Sequence, residues 1–120
     1  MDDMSLKEQI KAASVRKPLK VHVKEWNLDV YVRVLSVGER DDWELAWIDI
    51  RQKAVGKFQN FRAFYLVRTL CDEHGVRIWK DDEISEVAGL DGAVMGELFD
   101  VAQKHNKLTE ADVVELAGEL

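Results

Sequence analysis

The sequence has few of the features that mark secreted or membrane proteins. It contains one cysteine, Cys71, so an intramolecular disulfide cannot form. No apolar run approaches the roughly 20 residues that a membrane-spanning helix needs, and the first residues lack the charged and apolar regions of a secretory signal. These absences predict a cytoplasmic protein that does not bind a membrane.

The sequence also lacks an excess of positive charge. The 120 residues include 17 lysines and arginines against 23 aspartates and glutamates, which gives a net charge of −6. Most of the affinity of a protein for nucleic acid comes from basic side chains that release counterions from the phosphates. The charge balance therefore argues against nucleic acid as a partner.

The residues that are present have a globular composition, with 47% hydrophobic and 33% charged side chains. Pro18 is the only proline, and it separates a polar arm, residues 1–18, from the rest of the chain. We expect residues 19–120 to form a single domain. Three apolar residues at helical spacing predict a short amphipathic helix in the arm: Leu6, Ile10 and Ala13.

An alternation of apolar and polar residues predicts a β-hairpin after Pro18, with its turn at residues 25–27. The alternating aliphatic residues are Leu19, Val21 and Val23 in the first strand and Leu28, Val30, Val32 and Val34 in the second. Because two strands alone are marginally stable in water, the aliphatic face should cover the helices that follow.

Ser36 and Glu39 have the spacing of a capping box, which predicts a helix running to about Ala54. Its apolar residues form two stripes, the first with Trp43, Trp47, Ile50 and Ala54 and the second with Leu45 and Ile48. Two stripes imply two neighbours. Either both neighbours belong to this domain, or one is a partner helix or subunit.

Residues 61–72 are predicted to form the central helix of the core. Most of its apolar residues share one broad arc: Ala63, Phe64, Leu66, Val67, Leu70 and Cys71. Phe61 and Tyr65 lie outside that arc. They form a contact surface for a partner, or a flanking loop covers their rings.

The remaining sequence predicts an extended piece at residues 76–79 that seats Ile78 and Trp79 on the core, and then three helices. The first begins at residues 81–83 and ends at Gly89, the second runs from a cap at Asp91 to Asn106, and the third begins at Thr109. The predicted fold class is α+β, mainly α, with an N-terminal β-hairpin packed on a bundle of about five helices.

The sequence offers no set of residues suited to catalysis or to binding a metal or cofactor. Cys71 and His74 are three residues apart, but Cys71 belongs to the buried arc, where an apolar setting makes a thiol less reactive. The three histidines lack further ligands at zinc spacing, and residues 81–83 lack the glycine of a calcium loop. We therefore expect a binding protein and not an enzyme.

Aromatic residues are more numerous than one small core obviously needs, and tryptophan and tyrosine are common anchors at interfaces. Together with the second stripe of the long helix, they give five candidate partner-binding residues: Leu45, Ile48, Phe61, Tyr65 and Trp26.

Four parts of the chain have a family pattern: Glu25-Trp26 at the hairpin turn, residues 33–40, residues 70–79 and residues 98–116. In arrangement they resemble the phage tail assembly chaperones of long-tailed bacteriophages and prophages, over about residues 20–120. Similar proteins often have glycines after the tryptophan, where this chain has Asn27 and Leu28, so the resemblance leaves the turn type open.

The resemblance implies that the protein binds the long, largely helical tape measure protein in the host bacterial cytoplasm. It implies help in recruiting tail tube subunits, through a longer frameshifted form in many members, and absence from the mature virion. Self-association is implied as well. The alternative is a non-catalytic adaptor or regulatory module that binds another helical partner.

Overall fold

The computed structural model describes residues 4–53 and 60–107, with no side-chain description at 50, 51 and 53. In chain order the elements are α1 (Leu6–Ser14), β1 (Leu19–Val23), β2 (Leu28–Val32), α2 (Val37–Lys53), α3 (Phe61–Thr69), β3 (Leu70–Cys71), a 3-10 turn (Asp81–Glu83), α4 (Ile84–Ala88) and α5 (Gly92–His105). This architecture confirms the α+β, mainly α, fold class. The predicted helix from Thr109 and the side chains of Ile50 and Ala54 lie outside the described residues.

The predicted hairpin is confirmed, and a third strand extends it. β1 and β2 pair antiparallel, with Leu19 opposite Val32 and Val23 opposite Leu28. β2 ends at Val32, two residues earlier than the alternation predicts, and β3 then pairs with it antiparallel. Val23 and Val32 are buried, so the aliphatic face of the hairpin covers the core as expected.

The central helix is shorter than predicted, because α3 ends at Thr69 and the next two residues form β3. Leu70 lies opposite Val32, and the Arg33 N–H donates to the Thr69 carbonyl oxygen at 2.9 Å. These bonds to β2 satisfy backbone groups that a longer helix would have paired internally. The prediction of helix through residue 72 is therefore wrong, although Leu70 and Cys71 are buried as predicted.

The start of α2 follows the predicted capping box. The Glu39 N–H donates to Ser36 Oγ at 3.1 Å, and the Ser36 N–H donates to Glu39 Oε1 at 2.9 Å. Asp91 similarly caps α5, since its Oδ1 accepts from the N–H groups of Ala93 and Val94. Both helix starts are therefore set by local sequence.

The segment after β3 only partly matches its prediction. Trp79 packs against the core, but Ile78 is 50% exposed. Arg77 forms an isolated antiparallel bridge with Cys71, and the backbone then bends at residues 78 and 79. The prediction that both Ile78 and Trp79 are seated on the core is therefore wrong for Ile78.

The predicted helix of the polar arm is also present. The Ser5 side chain caps α1 by accepting from the Glu8 N–H at 3.2 Å. No residue of α1 is buried. The division into an arm at residues 1–18 and a domain at residues 19–120 stays a prediction.

Candidate partner-binding surface

The inner face of α2 packs against aromatic rings. Trp43 and Trp47 are fully buried, and both rings contact Phe61, at centroid distances of 5.8 and 4.9 Å. Tyr65 lies edge-on to Trp43 at 4.9 Å, and Phe99 of α5 contacts Phe61 and Tyr65. The described residues of the predicted first stripe, Trp43 and Trp47, are thus core residues, and α3 supplies the rings that contact them.

This packing favours the second of the two alternatives left open for Phe61 and Tyr65, in which other residues cover their rings. Tyr65 is only 2% exposed, its burial raises the pKa of its hydroxyl, and Phe61 is half-buried against the same rings. Neither residue forms the exposed accessory face that their positions outside the apolar arc suggested. Trp43 and Trp47 of α2 contact these two rings. The sequence pattern did not identify that contact.

The outer face of α2 behaves differently. Leu45 is 68% exposed, and Ile48, one turn along the helix, is half-buried. Two residues correspond to a rotation of about 200° around a helix, so Leu45 points away from Trp43. This second stripe is therefore an outward-facing apolar surface. The packing on the opposite side of α2 fixes the position of the helix that carries it.

Acidic side chains surround this outer stripe. Asp41 and Asp49 are exposed and lie four residues before and after Leu45, while Glu44 lies four residues before Ile48. Glu44 is 3.6 Å from the Arg40 guanidinium, which partly balances its charge. We define Leu45, Ile48 and these three acidic residues as the outer face of α2.

Polar contacts hold α2 against the rest of the protein. Arg68 of α3 is buried and donates to Asp42 at 3.0 Å, and its guanidinium also binds both carboxylate oxygens of Asp81. Arg33 forms an ion pair with Glu39 at the start of the helix. These bonds fix the rotation of α2, which determines the side that faces solvent.

Asn106 links the end of α5 to the segment between β2 and α2. Its Oδ1 accepts from the Leu35 N–H at 2.7 Å, and its Nδ2 donates to the Arg33 carbonyl oxygen at 3.1 Å. The Arg40 guanidinium in turn donates to the Asn106 carbonyl oxygen at 3.1 Å. Sequence reasoning identified Asn106 only as the residue that ends a helix. A polar residue directly after a buried helical stripe was the one available signal.

Trp26 lies at a separate place, in the hairpin turn, where it is 40% exposed. Its N–H donates to the Val23 carbonyl oxygen at 3.2 Å, and the Asn27 N–H donates to the Lys24 carbonyl oxygen at 3.2 Å. Asn27 adopts φ +48°, a left-handed conformation that asparagine tolerates, which explains how the turn closes without glycine. Leu28, the residue after Asn27, is also exposed.

The five predicted residues therefore divide among three places: the outer face of α2, the aromatic core and the hairpin turn. A groove of about 320 Å³ between β1 and α5, lined by both apolar and charged side chains, was not predicted. Its lining includes Val21, Leu98 and Val101, which belong to elements far apart in sequence.

The described residues contain no arrangement suited to metal binding, since no group of three or more His, Cys, Asp or Glu side chains converges among them. Cys71 is buried, and that burial raises the pKa of its thiol. His74 is exposed in a turn beside Glu73. Within the same part of the chain, every helix is too short or too polar to cross a bilayer.

The model of the phage tail assembly chaperone family matches residues 5–117 of the chain. Neither the curated proteins nor the solved structures gave a match. The family match covers nearly the whole sequence, including every element described above.

Proposed function

This chain belongs to the phage tail assembly chaperone family, and we propose that it binds the tape measure protein through the outer face of α2 and helps to recruit tail tube subunits. The family places the protein in tail assembly, where its contacts are with other proteins. We propose further that it acts without catalysis in the host bacterial cytoplasm and is absent from the mature virion.

The observation that carries this proposal is the exposure of Leu45 on a helix whose opposite face is locked into the core. An amphipathic helix binds a partner surface with apolar residues spaced one turn apart, and Leu45 and Ile48 have that spacing. Burying one such side chain contributes about 1.5–3 kcal/mol. A few contacts of this size suit a chaperone that must later release its client.

The charges of the outer face define the client further. Asp41, Glu44 and Asp49 would oppose a partner with acidic residues beside its apolar stripe and would favour one with lysine or arginine there. We therefore propose that the bound segment of the tape measure protein is an amphipathic helix with basic residues next to its apolar stripe.

We assign Trp26 to a second contact. With Leu28 it makes an exposed apolar pair at the end of the hairpin, on a different element from the outer face of α2. Two separated surfaces would let the chaperone hold a tape measure helix while a tail tube subunit, reached through a longer form of the chaperone, is brought alongside.

The test is co-expression of the chaperone with overlapping fragments of the tape measure protein, followed by affinity purification. The double variant Leu45→Asp with Ile48→Asp should lose a fragment that the wild-type protein retains, because it places charge on the apolar stripe. Val76→Asp is the control, since Val76 lies outside α2 and its exposure of 61% is close to the 68% of Leu45. Equal retention by the double variant and the control would overturn the proposal.

A further inference from the structure

The N-terminal helix α1 carries an apolar stripe that no described residue covers. Leu6 is 70% exposed and Ile10 is 59% exposed, and the two lie one turn apart on the same side of the helix. Lys7 and Lys11 lie side by side along one flank of this stripe. We define these four residues as the arm face.

The arm face and the outer face of α2 match each other in both spacing and charge. Each has two apolar side chains one turn apart, Leu6 and Ile10 on α1, and Leu45 and Ile48 on α2. The flanking charges are opposite, with lysines on α1 and carboxylates on α2. Contact between the two faces would bury apolar surface from both helices and pair charges along the rim.

We propose that the arm face of one copy lies on the outer face of α2 of a second copy, and that the tape measure protein displaces it. This inference rests on the proposed function, because the client and the arm would share one surface. The protein would then cover its own client site by self-association until a tape measure helix competes for it.

The connection of α1 to the rest of the chain favours a second copy over the chain's own α2. Arg16 contacts the carboxyl end of α5, where its guanidinium lies 3.1 Å from His105 Nδ1. Val15 is therefore the only residue between the end of α1 and Arg16, whose side chain makes this contact. Phe99 of α5 packs on Phe61 and Tyr65 of α3. Both of those rings contact Trp43 on the inner side of α2, whereas Leu45 points to the opposite side. In the described position no residue of α1 is buried and Leu45 is 68% exposed, so α1 does not lie on the outer face of its own α2.

The proposed contact joins two different surfaces, and every copy has one of each. Two copies can exchange arms and leave neither surface unused, or each copy can bind the next and form a chain. In both cases the number of accessible client sites falls as the chaperone associates. Adding client should therefore convert chaperone assemblies into chaperone–client complexes.

Charge reversal with mixing tests the contact directly. Variant one carries Lys7→Glu and Lys11→Glu, so both of its faces are acidic, and variant two carries Asp41→Lys and Asp49→Lys, so both are basic. Each variant alone should associate at least about tenfold more weakly than the wild type in sedimentation equilibrium, because like charges oppose each other. Mixing the two should restore association, since the acidic arm of one fits the basic face of the other.

Lys20→Glu, on the exposed side of β1, is the matched control and should associate as the wild type does. Failure of the mixture to associate would overturn the proposal, as would a wild-type protein that remains at 13.8 kDa at all concentrations. An arm folded onto its own α2 would give that second result, and mixing could not rescue it.

A second pair of variants separates this inference from the proposed function. Leu6→Asp with Ile10→Asp should abolish self-association and bind a tape measure fragment at least as tightly as the wild type, because the competing arm is removed. Leu45→Asp should lose both activities. Loss of association with intact client binding in Leu45→Asp would refute the client site while keeping the contact between copies. Loss of client binding in the arm variant would instead refute the competition.

Discussion

The two faces of α2 carry similar apolar side chains and meet different surroundings. Trp43 and Trp47 pack against aromatic rings of α3, while Leu45 and Ile48 lie on the opposite side among carboxylates. The comparison shows that an apolar stripe in a sequence predicts that other residues cover it but does not identify those residues. Phe61 and Tyr65, expected to bind a partner, are the neighbours that the first stripe required.

The largest expected effect on stability comes from a substitution on the inner face of α2. Trp43→Ala removes a fully buried indole that contacts three aromatic rings, and it should reduce the free energy of unfolding by about 3–5 kcal/mol. Leu45→Ala on the outer face should change that free energy by no more than about 0.5 kcal/mol. Urea denaturation followed by circular dichroism measures both variants.

The two results must differ for the comparison to stand. A loss of several kcal/mol in Leu45→Ala would mean that the outer face is buried in the isolated protein. In that event the second stripe would also be a core stripe, and the proposed client surface would be lost.

The parts of the fold that local sequence determines were predictable. Ser36 with Glu39 and Asp91 set helix starts through bonds within three residues, and the alternation around Val21 and Val30 set the hairpin. β3 was missed because the helical spacing of apolar residues continues through Leu70 and Cys71. Pairing with β2, nearly 40 residues earlier, decides their conformation, and periodicity carries no information about that pairing.

The candidate site was predictable in the same partial way. Helical spacing placed Leu45 and Ile48 together correctly, because both lie on one helix. The burial of Tyr65 depends on the rotation of α2 relative to α3, which Arg68 and Asp42 help to fix across 26 residues of sequence. A spacing pattern within one helix cannot predict such a contact.

A smaller effect is expected where the polar contacts set the orientation of α2. Asn106→Ala removes the acceptor of the Leu35 N–H and the donor to the Arg33 carbonyl oxygen. Leaving these buried backbone groups without partners should cost about 1–3 kcal/mol of unfolding free energy. Lys104→Ala, exposed near the end of the same helix, is the control and should have little effect.

Hydrogen exchange would sharpen this result. Loss of the Asn106 bonds should increase exchange at the Leu35 and Arg40 amides before it affects α3, because the start of α2 is the part released. Equal increases across the whole core would contradict a local role for Asn106 in orienting the two faces.

The smallest expected effect concerns the charge of Glu39 at the start of α2. Partial burial acts to raise the pKa of Glu39, but hydrogen bonds from Arg33 and the Ser36 N–H, with the Arg33 charge, outweigh it and lower that pKa. A lowered pKa in the folded state contributes stability above the unfolded value of about 4.3, and this contribution disappears as pH falls through the folded value. Glu39→Gln keeps the capping geometry and removes only the charge.

At pH 7 the Glu39→Gln variant should be less stable than the wild type by at most about 1 kcal/mol, because solvent screens this partly exposed pair. Urea midpoints measured from pH 7 to pH 3 should converge as the wild-type carboxylate takes up a proton. Glu97→Gln, exposed on α5, should show no such convergence. A gap that stays constant with pH would mean that the side-chain amide, and not the missing charge, weakens the start of α2. The ion pair would then have no part in deciding which face of the helix meets solvent.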